Sequence, residues 1–120
     1  MSACLLAGMV VLALSGPEFR LEWTHSVERQ TWRETWRIDE DGLMRLTRAA
    51  VKGSGAGMEP GPGAVLEDGW WVWSPALPAQ TSLLLAASGA TGQGWRLCDA
   101  ARCHDLGRTA SAPIRLRPCP

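Results

Sequence analysis

The chain has 120 residues, with 12 Lys and Arg against 12 Asp and Glu, so its formal net charge is zero. With 46% hydrophobic and 20% charged residues, it is long enough for one self-sufficient core and too apolar for an intrinsically disordered segment. The balanced charge offers no attraction to a phosphate backbone or an acidic lipid surface, which argues against nucleic-acid binding.

The first feature in chain order is the apolar run ACLLAGMVVLAL, residues Ala3–Leu14. It is too short to cross a membrane as a helix, which takes roughly 20 apolar residues. As an export signal it lacks a positive n-region, although Ala13-Leu14-Ser15 would serve as a small-residue cleavage site. The preferred reading is a buried strand: Val10 and Val11 are β-branched, and Ser15-Gly16-Pro17-Glu18 forms a turn cluster before the next strand-like run. A remnant export signal over residues 1–15 is the alternative.

From Glu18 the side chains alternate, with Phe19, Leu21, Trp23 and His25 on one face and Glu18, Arg20, Glu22 and Thr24 on the other. Alternation resumes with Trp32, Glu34, Trp36 and Ile38 against Arg33, Thr35 and Arg37. Thr31 and Glu34 have capping-box spacing, but a helix here would put Val27 and Ile38 opposite Trp32 and Trp36, so no apolar stripe forms and a strand is preferred. Joining the two strands as a hairpin with matched apolar faces requires paired residue numbers to sum to an odd value. A four-residue loop, Glu28 to Thr31, sets His25 opposite Glu34 and Trp23 opposite Trp36. A two-residue loop sets Trp23 opposite Glu34 and His25 opposite Trp32. Either register leaves an imidazole and a carboxylate on a tryptophan-rich face.

Asp39-Glu40-Asp41-Gly42 reads as a turn with a strong Asp-Gly hairpin signal, and Leu43 to Val51 as a third strand. Gly53 to Gly63, sequence GSGAGMEPGPG, is too rich in Gly and Pro for regular structure. Trp70 to Trp73, Thr81 to Ala87, Gly94 to Cys98, Cys103 to Leu106 and Ile114 to Leu116 are further short strands, separated by Pro and Gly. This pattern predicts one all-β domain over residues 1–120, an antiparallel sandwich or partly open barrel.

Four cysteines make an even count. Cys98 and Cys103 flank a four-residue linker; if it is a hairpin loop, their sulfurs face each other across its base at the spacing a disulfide needs. Two reduced thiols are the alternative, and a C-x4-C zinc site with only His104 nearby is the weakest reading. Cys4 and Cys119 are left to pair if the chain ends meet.

Candidate chemistry is sparse. His25 and Ser26 are adjacent on a strand and point to opposite faces, so they do not form a nucleophile–base pair. His25 with Glu34 reads better as a register-fixing structural pair than as an acid–base couple. The loop glycines Gly53, Gly55 and Gly57 lack the Lys-Ser/Thr of a phosphate loop; an anion nest is conceivable, but a crossing that only a glycine backbone can make is preferred. Trp70, Trp71 and Trp73 are candidate binding aromatics, with Trp71 and Trp73 on one strand face and Trp70 on the other, suited to sugar stacking or a protein partner. Tryptophan as plain core filler is the competing reading. No catalytic residue, cofactor or metal site is expected.

The run Phe19-Arg-Leu-Glu-Trp-Thr-His-Ser-Val-Glu28 followed by Trp32-Arg-Glu34 resembles the opening motif of a bacterial family, domain of unknown function eighteen-fifty. The likeness continues through Gly53-Ser-Gly-Ala-Gly-Met-Glu-Pro60, Asp68-Gly-Trp-Trp71 and Trp95-Arg-Leu-Cys98 to Cys103. Members of that family are often encoded beside tripartite (TRAP) transporters of the TAXI class, which capture solute outside the inner membrane. The resemblance implies a periplasmic or exported accessory role and supplies no reaction. By it, His25, Ser26, Glu28, Glu34 and the Gly55–Gly57 segment are the positions to suspect. The expected function is therefore a non-enzymatic accessory domain that binds a transporter component or its solute-binding protein. The alternative is a small-ligand or carbohydrate-binding β-domain that uses Trp70, Trp71 or Trp73.

Overall fold

The computed structural model describes residues 3–24, 31–52, 60–87, 94–107 and 111–120. Among these, the chain forms strands only: β1 (Ala3–Ala7), β2 (Val10–Leu14), β3 (Glu18–Thr24), β4 (Thr31–Ile38), β5 (Met44–Lys52), β6 (Val65–Glu67), β7 (Trp70–Trp73), β8 (Leu83–Leu85), β9 (Trp95–Cys98), β10 (Cys103–Leu106) and β11 (Ile114–Pro118). They build two antiparallel sheets, a four-stranded one in the order β2-β1-β11-β8 and a seven-stranded one in the order β10-β9-β3-β4-β5-β7-β6. The all-β expectation holds, and the two open sheets make a sandwich with no closed barrel.

The apolar run Ala3–Leu14 corrects the single-strand expectation. It is a hairpin, with Ala3 paired to Leu14 and Ala7 to Val10 across the two-residue turn Gly8-Met9. Gly8 has φ +62°, the positive value that the first central position of a tight hairpin turn requires and that glycine alone adopts freely. Folding back lets Leu5, Leu12 and Leu14 all reach one core, which one continuous strand would not do. Strand β6 was not expected from the sequence; its three residues are all exposed and carry no burial pattern to read.

Period-two alternation sorts the larger sheet into an inner and an outer face. Phe19, Leu21, Trp36, Met44, Leu46 and Leu97 face the smaller sheet and meet Leu5, Leu12, Leu14, Leu85 and Leu116 in one buried cluster. The β4–β5 ladder shifts register between Thr35 and Trp36, a bulge in which the Thr47 hydroxyl donates to the Thr35 carbonyl at 3.1 Å.

Two disulfides each join neighbouring strands, one in each sheet. Cys98 and Cys103 are direct cross-strand partners and are bonded, with Cα atoms 4.0 Å apart, as the hairpin reading predicts. Cys4 and Cys119 are also bonded, so the two ends of the chain do meet, and the Cys119 amide donates to the Cys4 carbonyl at 3.1 Å. Asp99 organises the β9–β10 tip. Its Oδ1 accepts from the Ala101 and Arg102 amides at 2.8 Å each, and its Oδ2 accepts from the Ser15 amide at 2.8 Å. The Arg102 amide foremost, aided by those of Ser15 and Ala101, holds the Asp99 carboxyl below its ordinary value.

Candidate functional site

The larger sheet spreads over more strands than the smaller one, so part of its inner face extends past the shared core. Two cross-strand rows define that part. One runs Trp23, Trp32, Val51, Trp71, Leu66 across β3, β4, β5, β7 and β6. The next runs Leu97, Leu21, Glu34, Ala49, Trp73 across β9, β3, β4, β5 and β7.

Indoles fill the space between these rows. Trp23 and Trp32 stack with centroids 5.7 Å apart and planes 7° from parallel. Trp95 tilts against Trp23 at 5.6 Å, and Trp73 meets Trp32 edge to face at 5.9 Å. These are favourable geometries for aromatic pairs. The Trp95 indole N–H donates to the Ala86 carbonyl at 3.0 Å, whereas the Trp32 Nε1 is buried with no acceptor. Gly61 lies flat on Trp73, so close that a Cβ at this position would run into the indole Nε1 and Cδ1.

Glu34 stands among these groups, between Leu21 and Ala49 on the inner face. The Trp36 indole donates to its Oε1 at 3.2 Å. Burial pushes the Glu34 carboxyl above its ordinary value, and the Trp36 hydrogen bond only partly offsets that rise. One neutral donor is weak compensation for a desolvated carboxylate.

The outer face carries mixed charge. Arg33 Nε donates to Glu22 Oε1 at 2.9 Å, and Arg48 pairs with Glu67 at 2.7 Å. Arg20 Nε lies 3.3 Å from Glu22, close enough for charge attraction without hydrogen-bond alignment. Trp70 belongs to this face, with the Arg33 guanidinium 4.2 Å and the Lys52 ammonium 5.7 Å from its ring centre. A recess of about 620 Å³ here is lined by these paired groups, which largely satisfy one another.

The structure therefore divides the expected tryptophan trio as the alternation predicts. Trp71 and Trp73 point inward from β7 and Trp70 outward, already occupied by cations. His25, Ser26, Glu28, Gly53, Gly55 and Gly57 lie outside the described residues. The expected hairpin register is corrected. Paired residues of β3 and β4 sum to 55, so Trp23 faces Trp32 and Glu34 faces Leu21, in neither of the two anticipated alignments. The parity was right, but the register is offset from both; the connection itself, residues 25–30, lies outside the described residues. Trp23, Trp32 and Trp95 were not singled out as binding aromatics; only their shared strand parity signalled a common face. Among the described residues, no group of three or more His, Cys, Asp and Glu is placed to hold a metal ion. No helix there is long and apolar enough to cross a membrane.

A family model described as a domain of unknown function, DUF1850, matches residues 19–106. The chain belongs to this family. The matched span of this DUF1850 protein runs from β3 to β10 and so contains all of the larger sheet but Glu18, its indole rows included. No curated protein and no solved structure matches the chain significantly.

Proposed function

We propose that this DUF1850 chain is a non-enzymatic accessory domain of a TAXI-class TRAP solute transporter, working outside the inner membrane. In this reading it docks on the solute-binding protein through the β6–β7 wing. The observation that carries the docking surface is the cross-strand pair Trp71 and Leu66, 38% and 56% exposed on the wing's inner face. Tryptophan is the residue most enriched at interface hot spots, and an apolar pair at the margin of a sheet is costly to leave in water. Two disulfides fit an oxidising compartment.

Calorimetric titration of the purified chain with a TAXI-class solute-binding protein tests this. Association with a dissociation constant on the order of 10 μM suits a transient interface. Trp71→Ser weakens it at least about tenfold, as loss of a hot-spot indole does. Absence of binding at high micromolar concentration overturns the reading.

A second reading, a small-ligand or carbohydrate site, is favoured by the buried, acceptor-less Trp32 Nε1 beside the Trp23 and Trp73 rings. A ligand oxygen would satisfy that donor. A saccharide titration that changes tryptophan fluorescence, with the change lost in Trp73→Phe but kept in Trp71→Ser, distinguishes it from docking at the wing.

A further inference from the structure

Among the described residues, the two open sheets leave four strand edges, β2, β8, β6 and β10. Edge strands expose unpaired amides and carbonyls and normally carry a device that prevents pairing with another chain. Three of the four do. Strands β6 and β8 are three residues each, and Glu67 of β6 is engaged by Arg48. Strand β10 carries Asp105, paired with Arg96, and is bridged to its neighbour by Cys98–Cys103.

Strand β2 has none of these. It is five residues long, reads VVLAL, and among the described residues pairs only with β1. Residues Ala3–Leu14 contain no charged residue and no proline. Instead the edge shows bare apolar side chains: Met9 is 98%, Val10 59% and Val11 63% exposed. Leu12 and Leu14 are buried beneath it, so its backbone is held in extended form and open on one side.

We propose that β2 pairs antiparallel with β2 of a second copy of this chain, extending the four-stranded sheet to eight strands across a two-fold axis. The strand suits a second copy of itself: it carries no charge to repel an identical strand, and reversal sets an apolar residue opposite an apolar residue at every position. A continuous sheet keeps inner residues opposite inner residues, so paired numbers must sum to an even value. The register centred on Leu12 sets Val10 opposite Leu14 of the partner subunit and Val11 opposite Ala13 of the partner subunit. The contact is isologous and closes at two subunits. Five residues a side is far below a standard interface, so the dimer is weak, with a dissociation constant on the order of 100 μM.

Sedimentation velocity on the full, oxidised chain between about 10 μM and 1 mM tests the proposal. The weight-average mass is expected to climb from that of the monomer toward twice that value. Val11→Lys with Ala13→Lys places like charges opposite one another on the outward face while leaving Leu12 and Leu14 in place; it is expected to raise the midpoint at least tenfold. Unchanged tryptophan fluorescence confirms that this variant is folded. Trp71→Ser, on the β6–β7 wing, is expected to leave the dimer intact. A chain that stays monomeric to 1 mM, a dimer indifferent to the two lysines, or a dimer lost in Trp71→Ser overturns the proposal.

Discussion

The Trp36 indole donates a hydrogen bond to Glu34 Oε1 at 3.2 Å across two residues of β4, on the face turned toward the protein's interior. A carboxylate is thus kept beside indoles with a single neutral donor. Because burial raises the Glu34 pKa above 4.5, the folded chain binds a proton that the unfolded chain has already released in the window just above that value. Stability contributed by this site is therefore greatest at low pH and falls as pH rises through the raised pKa. Glu34→Gln keeps an oxygen for Trp36 and removes the buried charge. It is expected to stabilise the protein by about 1 kcal/mol near pH 7 and to have little effect near about pH 3.5, where the carboxyl is protonated in both states. Urea unfolding at the two pH values checks both the sign and the difference.

The opposite sign applies at the β9–β10 tip. Asp99 accepts three backbone N–H groups, led by that of Arg102 in lowering its pKa. Its contribution is present above the unfolded carboxyl's pKa and is lost as pH falls through the lower folded value. Asp99→Ala leaves those amides to water and frees the Ser15 anchor, costing about 1 kcal/mol at neutral pH. The loss should shrink toward low pH in the same unfolding assay.

The two disulfides differ in the loop they close. Cys4–Cys119 spans a sequence separation of 115 and Cys98–Cys103 one of 5. Chain-entropy reasoning gives about 5 kcal/mol for the long loop and about 2 for the short one. Replacing the first pair with serine should lower the denaturation midpoint more than replacing the second. Alkylation without reduction, followed by intact mass, should find no modified thiol in the parent chain.

Gly61 rests on the Trp73 indole, where a methyl group would overlap the ring. Gly61→Ala forces Trp73 to shift and disturbs its edge contact with Trp32. A loss of about 1–3 kcal/mol is expected, in the range of overpacked sites, with a change in tryptophan fluorescence reporting the displaced ring.

Much of this fold was legible because alternation is a local signal. Phe19, Leu21 and Trp23 share a face with Trp32, Glu34 and Trp36 in the structure as they do in the sequence pattern. Facing the cysteines of a short linker was enough to place Cys98 against Cys103. Register was not legible, since it depends on a connection whose length no apolar pattern fixes; Glu34 therefore faces Leu21 rather than His25 or Trp23. The Ala3–Leu14 hairpin hid because Gly8 is a lone glycine in an unbroken apolar run. The Arg33–Trp70 stack joins β4 to β7 over the intervening β5, a non-local contact that neither residue's neighbours announce. Trp71 stood out by composition, but its exposed partner Leu66 became visible only with the β6–β7 pairing.

Hydrogen–deuterium exchange on the chain, alone and mixed with a TAXI-class solute-binding protein, tests the proposed docking most directly. The account predicts slowed exchange concentrated in peptides covering Val65–Glu67 and Trp70–Trp73, and its disappearance in Trp71→Ser. Exchange unchanged by the partner, or protection confined to other strands, would contradict it.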